Sequence, residues 1–176
     1  MQTSYTLNMG RHIAGMIGDI RPLVVSSMIA DVAISFGFGL VAGAVVPGGS
    51  YAAGVIPGKV GGGFSPASCK LPTAGGQAFV GIALQQHTEQ SYPFSASSAG
   101  YAINDLVNVG RRGVFVAVVT PGTAITAGET AYLVNNTGKW INNSGSSAIV
   151  TGGIFKESVA SDGANDTLAL VELNLP

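Results

Sequence analysis

Charged residues are scarce in this sequence. Eight Lys and Arg and nine Asp and Glu make up 10% of 176 residues, against about a quarter in a typical soluble domain. The formal net charge is −1, so the chain lacks the positive excess of a nucleic-acid-binding protein or a polybasic membrane-binding module. We therefore expect neither nucleic acid nor membrane among its partners. A near-neutral surface favours association with another protein.

Residues that bind metals or carry out catalysis are also few. The single cysteine, Cys69, excludes an internal disulfide, and His12 and His87 are the only histidines. This leaves too few ligands for the usual zinc site. The Asp162–Asp166 segment is rich in oxygen ligands but lacks the EF-hand spacing, so we interpret it as a turn and not as a calcium site. We predict no metal ion, no cofactor and no catalytic residue, and interpret Cys69 as an incidental loop thiol.

No long hydrophobic run is present. The most apolar stretch covers residues 32–46, contains three glycines and falls short of the roughly 20 residues of a spanning helix. Residues 34–40 alternate between large apolar and small side chains, which predicts a strand. The N-terminus has no basic region followed by an apolar segment, so we expect no signal peptide.

The pattern that is present is short apolar runs separated by turn residues, which is typical of strands in a sandwich or barrel. Residues 26–34 also fit one or two turns of helix, capped by Ser27, and this alternative stays open. The predicted strands cover residues 23–26, 78–84, 106–109, 114–119, 130–134, 149–155 and 168–175. The prediction is a single all-β domain over residues 1–176, an antiparallel sandwich or jelly-roll-like barrel.

Two segments fall outside this regular pattern. Residues 1–22 are predicted to be an extended N-terminal contact arm, in which Tyr5, Leu7 and Met9 alternate with polar or small residues. Residues 47–76 are dense in Gly, Pro, Ser and Ala, which predicts a long surface loop with a short strand near Val55 or Val60.

The adjacent basic pair Arg111 and Arg112 lies between two glycines. This arrangement predicts the tip of a hairpin that joins strands 106–109 and 114–119. Such a pair either solubilises a turn or binds a carboxylate on a neighbouring subunit, because the guanidinium fork matches carboxylate geometry.

The chain resembles the capsid cement, or decoration, proteins of tailed bacteriophages. The similarity lies in the succession of YTLNMG (residues 5–10), ISFGFGLV (34–41), KLPT to FVGIAL (70–84), YAINDLVNVGRRGVFVAV (101–118), AGETAYLV (127–134) and LALVELNL (168–175). Each motif alone is a generic strand and turn, and only their order carries the resemblance. Residues 47–68 depart from it, being longer and richer in glycine than expected.

The resemblance implies a β-rich, non-enzymatic homotrimer. The absence of a signal peptide and of disulfides suits its assembly in a bacterial cytoplasm. Such a protein docks on the outer surface of the phage head and clamps neighbouring major capsid proteins against internal DNA pressure. The candidate interface residues are Tyr5, Leu7, Met9, Arg11, Arg21, Arg111 and Arg112.

Two other functions remain open from the sequence. A receptor- or glycan-binding domain of a phage fibre or tail would expose an aromatic platform, for which Tyr51, Tyr92, Tyr101 and Trp140 are candidates. A hydrolase would depend on His87 as its general base, with Glu89 nearby. The first is disfavoured by an aromatic content of 7%, and the second by the absence of any histidine after His87.

Overall fold

The fold consists of strands and turns. A computed structural model describes residues 13–18, 23–43, 67–85, 100–145 and 148–175, and no helix occurs among them. The all-β prediction is confirmed. Within these ranges there is accordingly no helix long and apolar enough to cross a membrane. In chain order the strands are β1 (Val24–Ala30), β2 (Ile34–Ser35), β3 (Gly39–Ala42), β4 (Ser68–Lys70), β5 (Phe79–Ala83), β6 (Gly100–Tyr101), β7 (Leu106–Val119), β8 (Thr130–Leu133), β9 (Trp140–Ile141), β10 (Ile149–Phe155) and β11 (Thr167–Asn174).

Strand β7 is shared by two closed rings of strands. The first ring runs β1-β4-β3-β5-β7 and returns to β1, and the second runs β7-β11-β10-β8-β9 and returns to β7. Antiparallel pairing cannot alternate around a ring with an odd number of strands, so each five-stranded ring needs a parallel pair. These pairs are β1 with β4 and β7 with β9. The architecture is therefore two small barrels that share their longest strand.

The buried apolar side chains form two cores, and the second also takes in Val41 of β3 and Ile82 of β5. The first core includes Met28, Leu40, Cys69, Tyr101 and Val109. The second is larger and includes Phe115, Leu133, Trp140, Phe155 and Val171 among its buried side chains. Both β7 and the loop between β2 and β3 connect them, since the Trp140 indole of the second barrel donates a hydrogen bond to the Gly37 carbonyl at 3.0 Å.

Because β7 contains a β-bulge, one face of the strand packs in the first core and the opposite face packs in the second. Val25 pairs with Gly110 while Val24 pairs with Arg112, so Arg111 is an extra residue with no partner on β1. Val109 packs in the first core, yet a Cβ at Gly110 would lie 2.7 Å from the ring of Phe115 in the second. The two cores consequently lie on opposite faces of β7, as a bulge that shifts the alternation by one residue requires.

The predicted hairpin at residues 110–113 is wrong. Residues 106–119 form one strand of 14 residues. β1 pairs along one edge of its first half, and β11 pairs with every residue from Arg112 to Val119. Neighbours on both edges hold the strand extended through its glycines. Arg111 and Arg112 therefore sit in the middle of a strand and not at a tip.

Two further local expectations are corrected. Residues 24–30 are a strand, so the helical alternative for residues 26–34 is wrong. The strand predicted over residues 34–40 is interrupted by a turn at Gly37, whose φ of 77° belongs to the left-handed region that favours glycine. β2 and β3 lie on either side of that turn. The predicted short strand near Val55 or Val60 lies outside the described residues, whereas residues 68–70 of the Gly/Pro-rich segment form β4.

Candidate functional site

An apolar band runs along one edge of β7. Residues 13–18 bond to this edge, where Gly15 and Gly18 donate to the carbonyls of Val116 and Val114 at 2.9 and 2.7 Å. β1 continues along the same edge, with Val24 opposite Arg112. The band consists of Ile13, Met16, Ile17, Leu23, Val24 and Val25, whose exposed fractions are 38–47%. Six large apolar side chains left this open on neighbouring segments mark a surface suited to protein contact.

A shallow cleft opens within this band. It is lined by Gly15, Met16, Ile17, Val25, Leu84, Gln85 and Asn108, none of which is charged. An uncharged cleft with amides at its margin suits a neutral segment of another protein. Among the described residues that line it there is no acid, base or nucleophile.

Arg111 and Arg112 adjoin the band at the β7 bulge. Arg112 is exposed, and Arg111 is half-buried with its Nε enclosed by protein. Within the described ranges neither guanidinium has an ion-pair partner, while Lys139 pairs with Asp166 at 2.7 Å and Lys156 with Glu172 at 2.8 Å. Both of these lysines and their carboxylate partners belong to the second barrel or its loops.

Local structure accounts for the Asp162 segment. The Asp162 carboxylate accepts hydrogen bonds from the Asn165 side chain and the Ala164 amide, at 3.0 and 3.2 Å, which lower its pKa. This is turn geometry, and among the described residues no group of three His, Cys, Asp or Glu side chains could hold a metal ion.

Cys69 is not a loop thiol as predicted. It lies in β4, fully buried in the first core. Burial, reinforced by the nearby Asp31 carboxylate, raises the pKa of this thiol to about 12, so it remains protonated and unreactive at neutral pH.

The aromatic residues do not form an exposed platform where they are described. Trp140 is completely buried, and Tyr101 is 3% exposed with its hydroxyl donating to the Leu84 carbonyl at 2.7 Å. Both belong to the cores and are wrong as candidates for a glycan-binding surface. Tyr51 and Tyr92 lie outside the described residues, as do His12, His87 and Glu89.

Of the seven predicted interface residues, the structure describes only Arg111 and Arg112, which lie side by side. Tyr5, Leu7, Met9, Arg11 and Arg21 lie outside the described residues. The apolar band was not identified from the sequence. One signal was available, since consecutive valines at 24 and 25 cannot both face the core of a strand with alternating side chains.

The same arrangement of strands is found in a solved virus structure. A chain in "The capsid of Myoviridae Phage XM1" superposes with a TM-score of 0.66 over 99% of this chain and 97% of that one, at 17% sequence identity. At this identity the likeness establishes the fold. None of the curated proteins matches the sequence.

The class of protein follows from the family match. The model of the family described as structural cement protein (E217 gp24/Pam3 gp6) matches residues 1–174. The chain belongs to this family of phage structural cement proteins, as its resemblance predicted. Its role is structural and associated with the capsid.

Proposed function

We propose that this protein binds the outer surface of the assembled phage head and clamps neighbouring major capsid proteins, stabilising the shell against internal DNA pressure. The observation that carries the proposal is the family match over residues 1–174. The protein acts without catalysis, as a homotrimer made in the host cytoplasm. Its near-neutral charge supports a place away from the packaged DNA, because a DNA-contacting protein needs positive charge.

The apolar band supports protein contact on this side of the molecule. Its side chains are exposed at residues 13, 16, 17 and 23–25, and the described residues that line the cleft are uncharged. Many copies on one shell turn individually weak contacts into firm attachment, since the lattice repeats each contact.

The N-terminal arm extends the contact to a second capsid subunit. Tyr5, Leu7, Met9 and Arg11 precede Ile13, the first residue of the band, and Arg21 lies between its two halves. Twelve extended residues span at most about 40 Å. An extended segment of this kind joins a partner by adding a strand to its sheet edge.

The proposal is tested by sedimenting purified protein with expanded heads assembled without it. Saturable binding, with copy numbers set by the lattice, is expected, and a variant lacking residues 2–12 binds more weakly. Failure of the full-length protein to cosediment with heads, or its incorporation into fibres or tails instead, would contradict the proposal. Native mass spectrometry of the free protein tests the homotrimer, for which a monomer mass is the contrary result.

A further inference from the structure

Exposed apolar side chains are distributed unevenly between the two barrels. Among the described residues eleven large apolar side chains are exposed, and nine of them lie between residues 13 and 106. These nine belong to the first barrel, its turns and the adjoining residues 13–18. The other two, Val150 and Ile154, lie on β10 of the second barrel. Single exposed apolar residues are normal, whereas a group of this size is typical of a contact surface.

Charge is distributed in the opposite way. Residues 1–119 contain six Lys and Arg and four Asp and Glu, so their formal net charge is +2. Residues 120–176 contain two Lys and Arg and five Asp and Glu, which gives −3. The strands that they form, β8 to β11, belong only to the second barrel. Its surface is therefore the one that is more costly to remove from water.

The outer face of the ladder between β1 and β7 is uncharged. Three rungs of this ladder make up what we term the docking face: Val25 with Gly110, Ser27 with Asn108, and Ile29 with Leu106. They share one face because side chains alternate and the register does not shift between Val25 and Ile29. The intervening Met28, Val107 and Val109 pack in the first core. Val25 is 41% and Leu106 58% exposed, so apolar surface lies open at both ends of the face.

The docking face is continuous with the cleft in the apolar band. Val25 and Asn108 line this cleft together with Met16 and Ile17, which are also exposed. The uncharged surface thus extends from residues 16 and 17 across the ladder to Leu106. Its length along β1 and β7 makes it suited to a broad contact and not to a small ligand.

We infer that the first barrel is the base of the protein on the phage head. The docking face lies against an uncharged, apolar surface of the major capsid protein, and the second barrel points into solvent. This inference rests on the proposed function and adds the orientation of the molecule and the chemistry of the surface beneath it.

Burial and charge decide between the two possible orientations. The capsid-associated role of the family brings one side of the chain against the shell. Covering the first barrel removes apolar surface from water, which is favourable. Covering the second barrel would bury its acidic groups. The partner surface is uncharged, because a charge set against the docking face would be desolvated without a counter-charge.

A matched pair of substitutions tests the orientation. Leu106→Glu and Val150→Glu each replace an apolar strand residue, 58% and 71% exposed, so both variants are expected to keep the thermal midpoint of the wild type. Leu106→Glu weakens binding to heads about tenfold to a hundredfold, since it removes one buried leucine from the contact. Val150→Glu binds as the wild type does. Equal binding by both variants, or a loss confined to Val150→Glu, overturns the inference.

A substitution of opposite charge tests the chemistry of the partner. Leu106→Lys is expected to lose as much binding as Leu106→Glu, because either charge is unpaired against an apolar surface. Binding by Leu106→Lys that equals the wild type, with loss in Leu106→Glu, would show an acidic partner surface and overturn the inference.

Thiol labelling gives a readout that is independent of affinity. Leu106→Cys and Val150→Cys are treated with a thiol reagent at pH 8, where the buried Cys69 does not react. Both new thiols are expected to react in the free protein. On decorated heads the thiol at 106 is protected and the thiol at 150 still reacts. The reverse pattern, or equal reactivity on heads, overturns the orientation.

The remaining outcomes separate this inference from the proposed function. Failure of the wild type to cosediment with heads overturns the proposed function. Wild-type cosedimentation with full binding by Leu106→Glu overturns the inference and leaves the proposed function standing. Protection of the thiol at 106 in the free protein, with a lower native mass for Leu106→Glu, would show that a second copy covers the face and would overturn the inference.

Discussion

Gly110 lies in the middle of β7, against side chains of the second core. A Cβ there would lie 2.7 Å from two ring atoms of Phe115 and 3.0 Å from a methyl carbon of Leu84. Both side chains are buried, so neither moves aside freely. The absence of a side chain at residue 110 is thus a packing requirement of the strand that the two barrels share.

Gly110→Ala is expected to lower the free energy of unfolding by about 1–3 kcal/mol, because the added methyl group overpacks the core. Gly163→Ala is the matched control, since a Cβ at Gly163 meets no atom within 4 Å. Its effect stays within about 0.5 kcal/mol. Denaturant unfolding of both variants measures the difference, and equal stabilities would contradict the packing argument.

Cys69 reports on the integrity of the first barrel. Because burial raises its pKa from 9.0 to about 12, the folded state binds its proton more tightly than the unfolded state. The contribution of this proton to the free energy of unfolding is therefore complete below pH 9, and it is lost as the pH rises from there towards 12. At pH 8 we expect an aromatic disulfide reagent to label the thiol only in denaturant. Rapid labelling of native protein would show that the thiol is accessible.

At the scale of elements, β7 determines the architecture, because it is a strand of both barrels. Its first half closes one barrel and its second half closes the other, and the bulge at Arg111 lets a single strand present opposite faces to two cores. The same bulge places two arginines beside an apolar band. Fold and candidate interface therefore share one local feature.

Trp140 fixes the second barrel against the first. It lies in β9, which supplies the parallel pair with β7, and its indole donates to the Gly37 carbonyl. Trp140→Phe leaves that carbonyl with only the Val118 amide, at 3.2 Å, and leaves unfilled space in the core where the indole packed. The substitution is expected to cost about 1–3 kcal/mol. Tyr132→Phe, on the neighbouring β8 at a half-buried position, is expected to change stability by less than about 0.5 kcal/mol. Thermal unfolding distinguishes them, and similar midpoints would contradict the role given to the indole.

The strands predictable from sequence are those whose partners lie nearby in the chain or whose ends are marked by turn residues. β8, β10 and β11 match their predicted ranges within one residue, because Gly, Asn and Asp mark their limits. For β7 the sequence predicts two strands and a turn, because two glycines flank a charged pair there, and this prediction is wrong. Only β1, β5 and β11, which are distant in sequence, keep that segment extended.

The candidate site was predictable only in part. Arg111 and Arg112 stood out as the sole adjacent basic pair, but their setting in a bulge depends on the pairing of β1 with β7 and leaves no local signal. The apolar band also depends on residues 13–18 and β1 following one another along β7. Long-range pairing of this kind cannot be read from composition or periodicity.

At the scale of the whole molecule, the closed rings of strands and the low content of charged residues both affect how the protein associates. The rings pair most strand edges internally, so the described surface offers few open backbone groups for uncontrolled association. With 10% charged residues, the surface has few groups for ion pairs with a partner, so apolar contacts gain weight in any association. These properties are compatible with the structural, capsid-associated role of the family.

The most direct test is the thermal stability of heads with and without this protein. Expanded heads assembled in its absence are titrated with purified protein, and shell disruption is followed by calorimetry. The account predicts a transition temperature that rises with the number of bound copies and levels off at saturation. An unchanged transition temperature at saturated binding would contradict the claim that the protein cements the shell.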